Sequence, residues 1–170
     1  MASLAIISDT HWRRWDPENE SVAGLESLLE QGFDGIWHGG DVVDLSILEK
    51  LESYAPVVVV KGNCDSFFGR NLPHSVVESV EGVKIGMIHG WDIALDHLPS
   101  VAGAFPNDVD LIIHGHTHRR RREVLERPDG SLVTVINPGS VSSPRGGETP
   151  GYGILRVEGT SWEYQSCAFR

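Results

Sequence analysis

Short apolar runs that stop at metal-ligand side chains recur along this chain, and they constrain its fold more than any other feature. Ser3 to Ser8 runs into Asp9-Thr10-His11, Asp34 to His38 into Gly40-Asp41, and Pro56 to Val60 into Gly62-Asn63. Each run has the length of a strand buried on both faces, and the β-branched Pro56 to Val60 is the fully buried type most plainly. Between them lie helical spacings: Val22, Leu25, Leu28 and Leu29, stopped by Gly32, and then Asp44 to Leu51. Strand and helix therefore alternate through the first third, as in a layered α/β domain.

The pattern changes after residue 70. Ser75 to Val80 and Val83 to Ile88 flank the turn-like Glu81-Gly82 and read as a hairpin. A helix is expected over Ile93 to Ala104 and a buried strand over Val109 to Ile113. Further strands are expected at Glu123 to Arg127, Leu132 to Ile136, Gly153 to Val157 and Ser161 to Ala168. Two mixed sheets packed face to face with helices outside, a four-layer αββα sandwich, accommodate both halves. No linker or composition break divides the 170 residues, so one domain spanning 1–170 is expected.

Acidic residues outnumber basic ones by 24 to 14, a formal charge of −10. Such a surface repels a polyanion, so stable duplex nucleic-acid binding is not expected, whereas a small phosphorylated substrate remains compatible. Leu4-Ala5-Ile6-Ile7 is too short for a signal-peptide core or a membrane span, and Cys64 and Cys167 do not form a disulfide framework. The expectation is a cytoplasmic protein without membrane attachment.

Two later strands end in His89-Gly90 and Gly115-His116-Thr117-His118. Oxygen and imidazole ligands gathered at strand ends suit borderline divalent metals. Asp-x-His and His-x-His place both ligands on one side of an extended segment, and the adjacent glycines allow sharp turns at positive φ. Together with Asp65 after Asn63-Cys64, and with Asn137-Pro138-Gly139-Ser140, these make six short motifs in a fixed order along nearly the whole chain. Unrelated strand-end polar residues would explain the composition but not that order.

In these motifs the sequence resembles the calcineurin-like metallophosphoesterases, in particular their small single-domain bacterial and archaeal phosphodiesterase branch. The resemblance implies one metal held by Asp9, His11, Asp41 and His118. A second would be held by Asp41, Asn63, His89 and His116, with Asp41 bridging. Manganese leads the expected metals, with nickel, cobalt, iron and zinc as alternatives. Two ions about 3.5–4 Å apart can share an activated hydroxide and clamp the phosphoryl oxygens, so no protein nucleophile is required. The implied activity is hydrolysis of a small phosphodiester, with Asp41, Asn63, His89, Asp44 and Cys64 as catalytic positions.

Three departures from the wider family stand out. Many members have His after the Gly-Asn pair as a general acid, oriented by an Asp three residues beyond the Gly-Asp aspartate. Here Asp44 is present, but position 64 is Cys, a poor proton donor at neutral pH with an unperturbed pKa of about 8.5. The small branch often lacks His there. Trp12 and Trp91 stand where Gly and His are common, and both could line the substrate mouth.

Other residues have open readings. His38 and His114, beside ligand-bearing turns, are better read as buried hydrogen-bonding groups than as ligands; His74 and His97 read as surface residues. The Arg119–Arg122 run is read as a solvated strand edge, with at most two side chains able to face the metals. Arg145 could bind phosphate or stabilise its loop. Trp12 and Trp15 are too polar in context for plain core and fit a substrate-side loop or a subunit contact; a homo-oligomer is compatible. Two alternatives to a phosphodiesterase remain. One is a scaffold keeping the fold as a protein-binding surface, as a related eukaryotic trafficking subunit does. The other is a phosphomonoesterase, opposed by Cys64 and by Leu45 where an Arg would follow Asp44.

Overall fold

In the structure, a computed structural model describing residues 1–66 and 69–169, ten strands form two five-stranded mixed sheets. The first sheet joins β1 (Ala2–Ile7), β2 (Gly35–His38) and β3 (Val57–Val59) in parallel; β9 (Gly151–Glu158) and β10 (Ser161–Ala168) are added antiparallel beyond β1. The second has the order β4 (Ser75–Val80), β5 (Val83–Ile88), β6 (Leu111–His114), β8 (Leu132–Pro138), β7 (Arg120–Glu126), with β5, β6 and β8 parallel. Helices α1 (Glu20–Leu29) and α2 (Leu45–Glu52) connect the first three strands, and α3 (Leu98–Gly103) precedes β6.

Strand alternation sorts side chains into layers. On β1, Ala5 and Ile7 face a core shared with Leu25, Leu28 and Leu29 of α1 and Ile47, Leu48 and Leu51 of α2. Leu4 and Ile6 face the opposite way, against Val83, Ile85 and Met87 of β5 and Leu111 and Ile113 of β6. On the far side of the second sheet, Ile112, Val133 and Val135 pack under Val101 and Ala102 of α3. The order of layers is thus helix, sheet, sheet, helix, with the last layer reduced to one short helix. Asn19 starts α1 by accepting hydrogen bonds from Ser21 N (3.0 Å) and Val22 N (3.2 Å) through its side chain. Among the described residues, no helix is long and apolar enough to cross a membrane.

Three elements differ from the sequence expectation. The helix expected over Ile93 to Ala104 is confined to Leu98–Gly103, with Pro99 in its first turn. Proline lacks the N–H a helix interior needs and is tolerated at the start, so the helix begins beside Pro99 instead of running through it. The strand within Pro56 to Val60 is half-buried at the sheet edge, not fully buried; an unbroken β-branched run reads alike in either place. Finally, β7 begins at Arg120, three residues before the expected start, because the arginine run pairs with Ile136, Asn137 and Pro138 as an edge strand. Long charged side chains suit such an edge.

Candidate metal centre

The carboxyl ends of the parallel strands from both sheets come together, which is where open α/β sheets bind ligands. β1 delivers Asp9 and His11, β2 Asp41, β3 Asn63, β5 His89, and β6 His116 and His118. The sheets touch at this point: a Cβ at Gly115 would overlap Ser8 Oγ and crowd Asp9 Oδ2, and a Cβ at Gly62 would overlap Asp41. At these two glycines the requirement is close approach, since neither has positive φ.

The strain sits instead on the candidate ligands. Asp9, His11, Asp41, His116 and His118 all have positive φ, between 49° and 69°. Non-glycine residues rarely occupy this region, which costs on the order of 1–3 kcal/mol each and persists only where the surroundings enforce it. Val43, with φ of 79°, is a sharper outlier because it is β-branched.

Asp65 supplies the enforcement around Asp41. Its buried carboxylate accepts from Asp41 N (2.9 Å), Val43 N (2.8 Å) and Gly62 N (2.7 Å), joining the turns after β2 and β3. Asn137 does the same for the His-x-His turn. It donates to Gly115 O and Thr117 Oγ1, both at 3.0 Å, and accepts from Gly139 N at 2.8 Å. Ser140 Oγ donates to Asp9 O at 2.8 Å. None of these three was singled out as a site residue from sequence, although each lies inside one of the ordered motifs.

The donor atoms converge as the motifs suggest. Asp9 uses Oδ2 to accept from Ser8 Oγ (2.7 Å) and His116 N (3.1 Å), leaving Oδ1 facing His118 Nε2 at 3.2 Å and His11 and His89 Nε2 at 3.8 Å. Asp41 accepts from Cys64 N through Oδ1 (2.8 Å), while Oδ2 lies between His89 Nε2 (3.3 Å) and His11 Nε2 (3.4 Å). His11 and His118 Nε2 are 3.3 Å apart, and His116 Nδ1 is 3.2 Å from Asn63 Oδ1.

Protonation makes this cluster unusual. His89 Nδ1 lies 2.7 Å from Gly39 O and His118 Nδ1 lies 2.6 Å from Ser143 O, so these nitrogens donate and each Nε2 is left as an inward acceptor. Asp9 Oδ1 and His89 Nε2 are buried without any hydrogen-bond partner. Acceptors turned toward carboxylates in a buried space repel unless positive charge lies between them. Burial pushes His89 and His118 down, yet the neighbouring carboxylates outweigh it and raise both, Asp41 ahead of Asp9 at His89 and Asp9 at His118. Burial would likewise raise Asp9, but the His11 and His118 imidazoles facing its Oδ1 hold it well below the usual carboxylate range. The donor set fits divalent cations, with Asp9, His11 and His118, and separately Asp9, Asp41 and His89, offering atoms within 4.8 Å of one another.

Cys64 Sγ forms a third such group with His11 and Asp41. Although the residue is exposed, partial burial of its thiol and the Asp41 carboxylate push it up to about 11. Asp44 caps α2, its Oδ1 accepting from Ser46 N (2.9 Å) and Ser46 Oγ (2.6 Å). His38 and His114 are fully buried hydrogen-bonding groups. His38 bonds Gly40 N and Thr10 Oγ1, His114 bonds Gly115 O, and burial lowers both to about 4. His74 and His97 are exposed. Trp91 sits 6.0 Å from the His89 ring. Trp12 and Trp15, edge to face at 5.9 Å, both pack on the helix-side core, so this pair is more core-like than its polar context suggests. Trp12 also lines a small cavity beside His11.

Known proteins are similar to this chain in sequence and in fold. A probable metallophosphoesterase of Methanothermobacter thermautotrophicus is 33% identical over 92% of this chain and 86% of its own length. Phosphodiesterase YfcE of Escherichia coli is 30% identical over 91% of this chain and 88% of its own. Among solved structures, Vps29 of Chaetomium thermophilum superposes with a TM-score of 0.75 at 22% identity, over 96% of this chain and 86% of that one. The model of the calcineurin-like phosphoesterase superfamily domain matches residues 2–160, and those residues carry every strand-end motif from Asp9 to Ser140. With the family model matched over nearly the whole chain and relatives at 30% identity or more over most of their length, the chain belongs to the calcineurin-like phosphoesterase superfamily.

Proposed function

We propose that this protein is a phosphodiesterase that uses two divalent cations, manganese first among them, to hydrolyse a small phosphodiester. The observation that carries this reading is the pair of buried, partnerless acceptors, Asp9 Oδ1 and His89 Nε2, set among the Asp41 and His118 acceptors. One ion would be held by Asp9, His11, Asp41 and His118, and the other by Asp41, Asn63, His89 and His116. When bound, the ions supply Lewis acidity at the phosphoryl oxygens and a water of lowered pKa.

The chain's own contribution is orientation. Gly39 O and Ser143 O accept hydrogen bonds from Nδ1–H of His89 and His118, fixing their tautomers and aiming Nε2 inward. Asp41 Oδ2, between His11 and His89, is placed to serve both ions. Position 64, exposed beside Asn63, offers the leaving group a thiol where much of the family offers an imidazole, which favours substrates whose leaving group departs without a strong acid. Donors drawn from both sheets support reading residues 1–170 as one functional unit. The low ratio of basic to acidic residues supports a small substrate in preference to duplex nucleic acid.

The likeness to Vps29 favours a second reading, a scaffold that binds proteins through this fold. A complete donor set counts against it. The test is a panel of phosphomonoesters and phosphodiesters assayed with Mn, Ni, Co, Zn and Mg after metal stripping. Diester hydrolysis restored by at least one metal is expected. No activity with any of them would refute the phosphodiesterase reading and turn the search to protein partners, and a preference for monoesters would refute the diesterase assignment.

A further inference from the structure

The arginine run proves chemically uneven. Arg120 is tied to Glu148 and Thr149 O. Arg121 is held by Glu123, Leu95 O and His114 Nε2. Arg122 reaches Tyr164 O and lies over Trp162. Arg119 and Arg145 are different: among the described residues, neither guanidinium makes a hydrogen bond or an ion pair.

These two cations border one cavity of about 440 Å³, which also contains His116 and Thr117 of the His-x-His turn and extends to Leu95 and Asp96. Its size is in the range of small-molecule sites. Two features hold the arginines at its mouth. Arg145 N donates to His118 O at 3.0 Å, tying its loop to the His-x-His turn. Gly146, with φ of +71°, lets Arg119 lie against the loop, since a Cβ there would come within 3.0 Å of Arg119 Nε. Asp96 is the one carboxylate on the lining, facing four arginines in a chain of net charge −10.

Two unpaired guanidiniums from separate loops, beside a candidate metal ligand, form a receptor for a dianion. Resting on the phosphodiesterase reading above, we infer that the substrate is a phosphodiester carrying a second, terminal phosphate, and that Arg119 and Arg145 hold that phosphate while the metal centre takes the diester. Leu95 and Thr117 leave room for a short linker between the two groups.

The experiment compares propyl p-nitrophenyl phosphate with 3-phosphopropyl p-nitrophenyl phosphate, which share a leaving group and differ in the distal dianion. Wild type should favour the phosphorylated ester in kcat/KM by about ten- to a hundredfold, the usual range for charge-assisted hydrogen bonds. In the Arg119→Ala, Arg145→Ala double variant the ratio between the two esters should fall to near one, and Arg119→Lys, Arg145→Lys should keep part of it. The ratio is internal to each protein, so changes in folded fraction or metal loading cancel. Equal turnover of both esters by wild type overturns this inference and leaves the phosphodiesterase reading standing. A preference retained in the double alanine variant overturns the assignment to these arginines. Turnover of neither ester with any metal overturns the phosphodiesterase reading and this inference together.

Discussion

The turn after β2 and the turn after β6 solve the same problem by opposite chemistry. Each forces donor side chains into positive φ, Asp41 on the first and His116 and His118 on the second. The first is gripped by an anion, since Asp65 collects three backbone N–H groups. The second is gripped by a neutral amide, since Asn137 must donate to two acceptors and accept from Gly139 N. The choice follows from what each side chain must satisfy: converging N–H groups call for a carboxylate, whereas acceptors in the β6 turn together with the Gly139 N–H beyond Asn137 call for an amide. The β2 turn also serves both proposed metals, whereas His116 and His118 serve one each.

The largest effects should come from breaking that last asymmetry. Asp41→Asn is expected to abolish metal-dependent turnover and to lower occupancy at both sites, whereas His118→Ala or His11→Ala should mainly empty one, and Asn63→Ala or His89→Ala the other. Metal analysis of each purified variant decides the matter; two full metals and undiminished activity in Asp41→Asn would remove Asp41 as the shared ligand.

The next test loosens the two grips. Asp65→Ala leaves three N–H groups without their acceptor and should cost about 3 kcal/mol or more of stability, since each buried unsatisfied group costs about 1–3 kcal/mol. Asn137→Ala should cost less, about 2 kcal/mol, because the lost amide is uncharged and one of its partners is a hydroxyl free to rotate. Urea unfolding of the metal-free proteins measures both. Metal affinity, followed by titration, should fall about 10- to 100-fold in each variant. Equal destabilisation by the two changes would show that the charge on Asp65 adds nothing.

A smaller effect is expected at position 64, on the first-sheet side of the site. Wild type should hydrolyse activated aryl diesters well and lose rate steeply as the leaving group becomes more basic. Cys64→His, with Asp44 Oδ2 not engaged by Ser46, should flatten that slope and help alkyl esters most, by about tenfold against the 10²–10⁴-fold of a full general acid. Log rate plotted against leaving-group pKa, with metal content checked, tests it. A shallow slope in wild type would mean that another group donates the proton; His38 and His114, buried and neutral, are poorly placed for that.

Much of the candidate site was legible because few residue types can bind a metal: Asp9, His11, Asp41, Asn63, His89, His116 and His118 stand out by type and order, and the structure brings the donor atoms of Asp9, His11, Asp41, His89 and His118 together and sets His116 beside Asn63. The β4–β5 hairpin was legible because its two strands are adjacent and Glu81-Gly82 marks the turn. What was hidden depends on distant partners. Nothing local distinguishes an edge run such as Val57–Val59 from a central one, and the arginines of β7 read as solvent-facing until their pairing with Ile136 to Pro138 is seen. Asp65 carried no role beyond its place in a motif, because the N–H groups it collects come from turns more than twenty residues apart. Pro99 was a legible stop that the apolar spacing of Ile93 to Ala104 obscured.

The left-handed backbone at the ligands also sets endurance against activity. Glycine at position 116 would release about 1–2 kcal/mol of backbone cost, at the same stroke removing a metal donor that is only partly buried. In metal-free protein His116→Gly should therefore melt no lower than wild type, and in saturating metal it should melt lower, because wild type alone gains the full linkage from bound ions. The most durable sequence for this fold and the sequence that binds metal best are then different sequences, and heat-selected variants should drift toward inactive, glycine-bearing turns unless metal is kept in the selection.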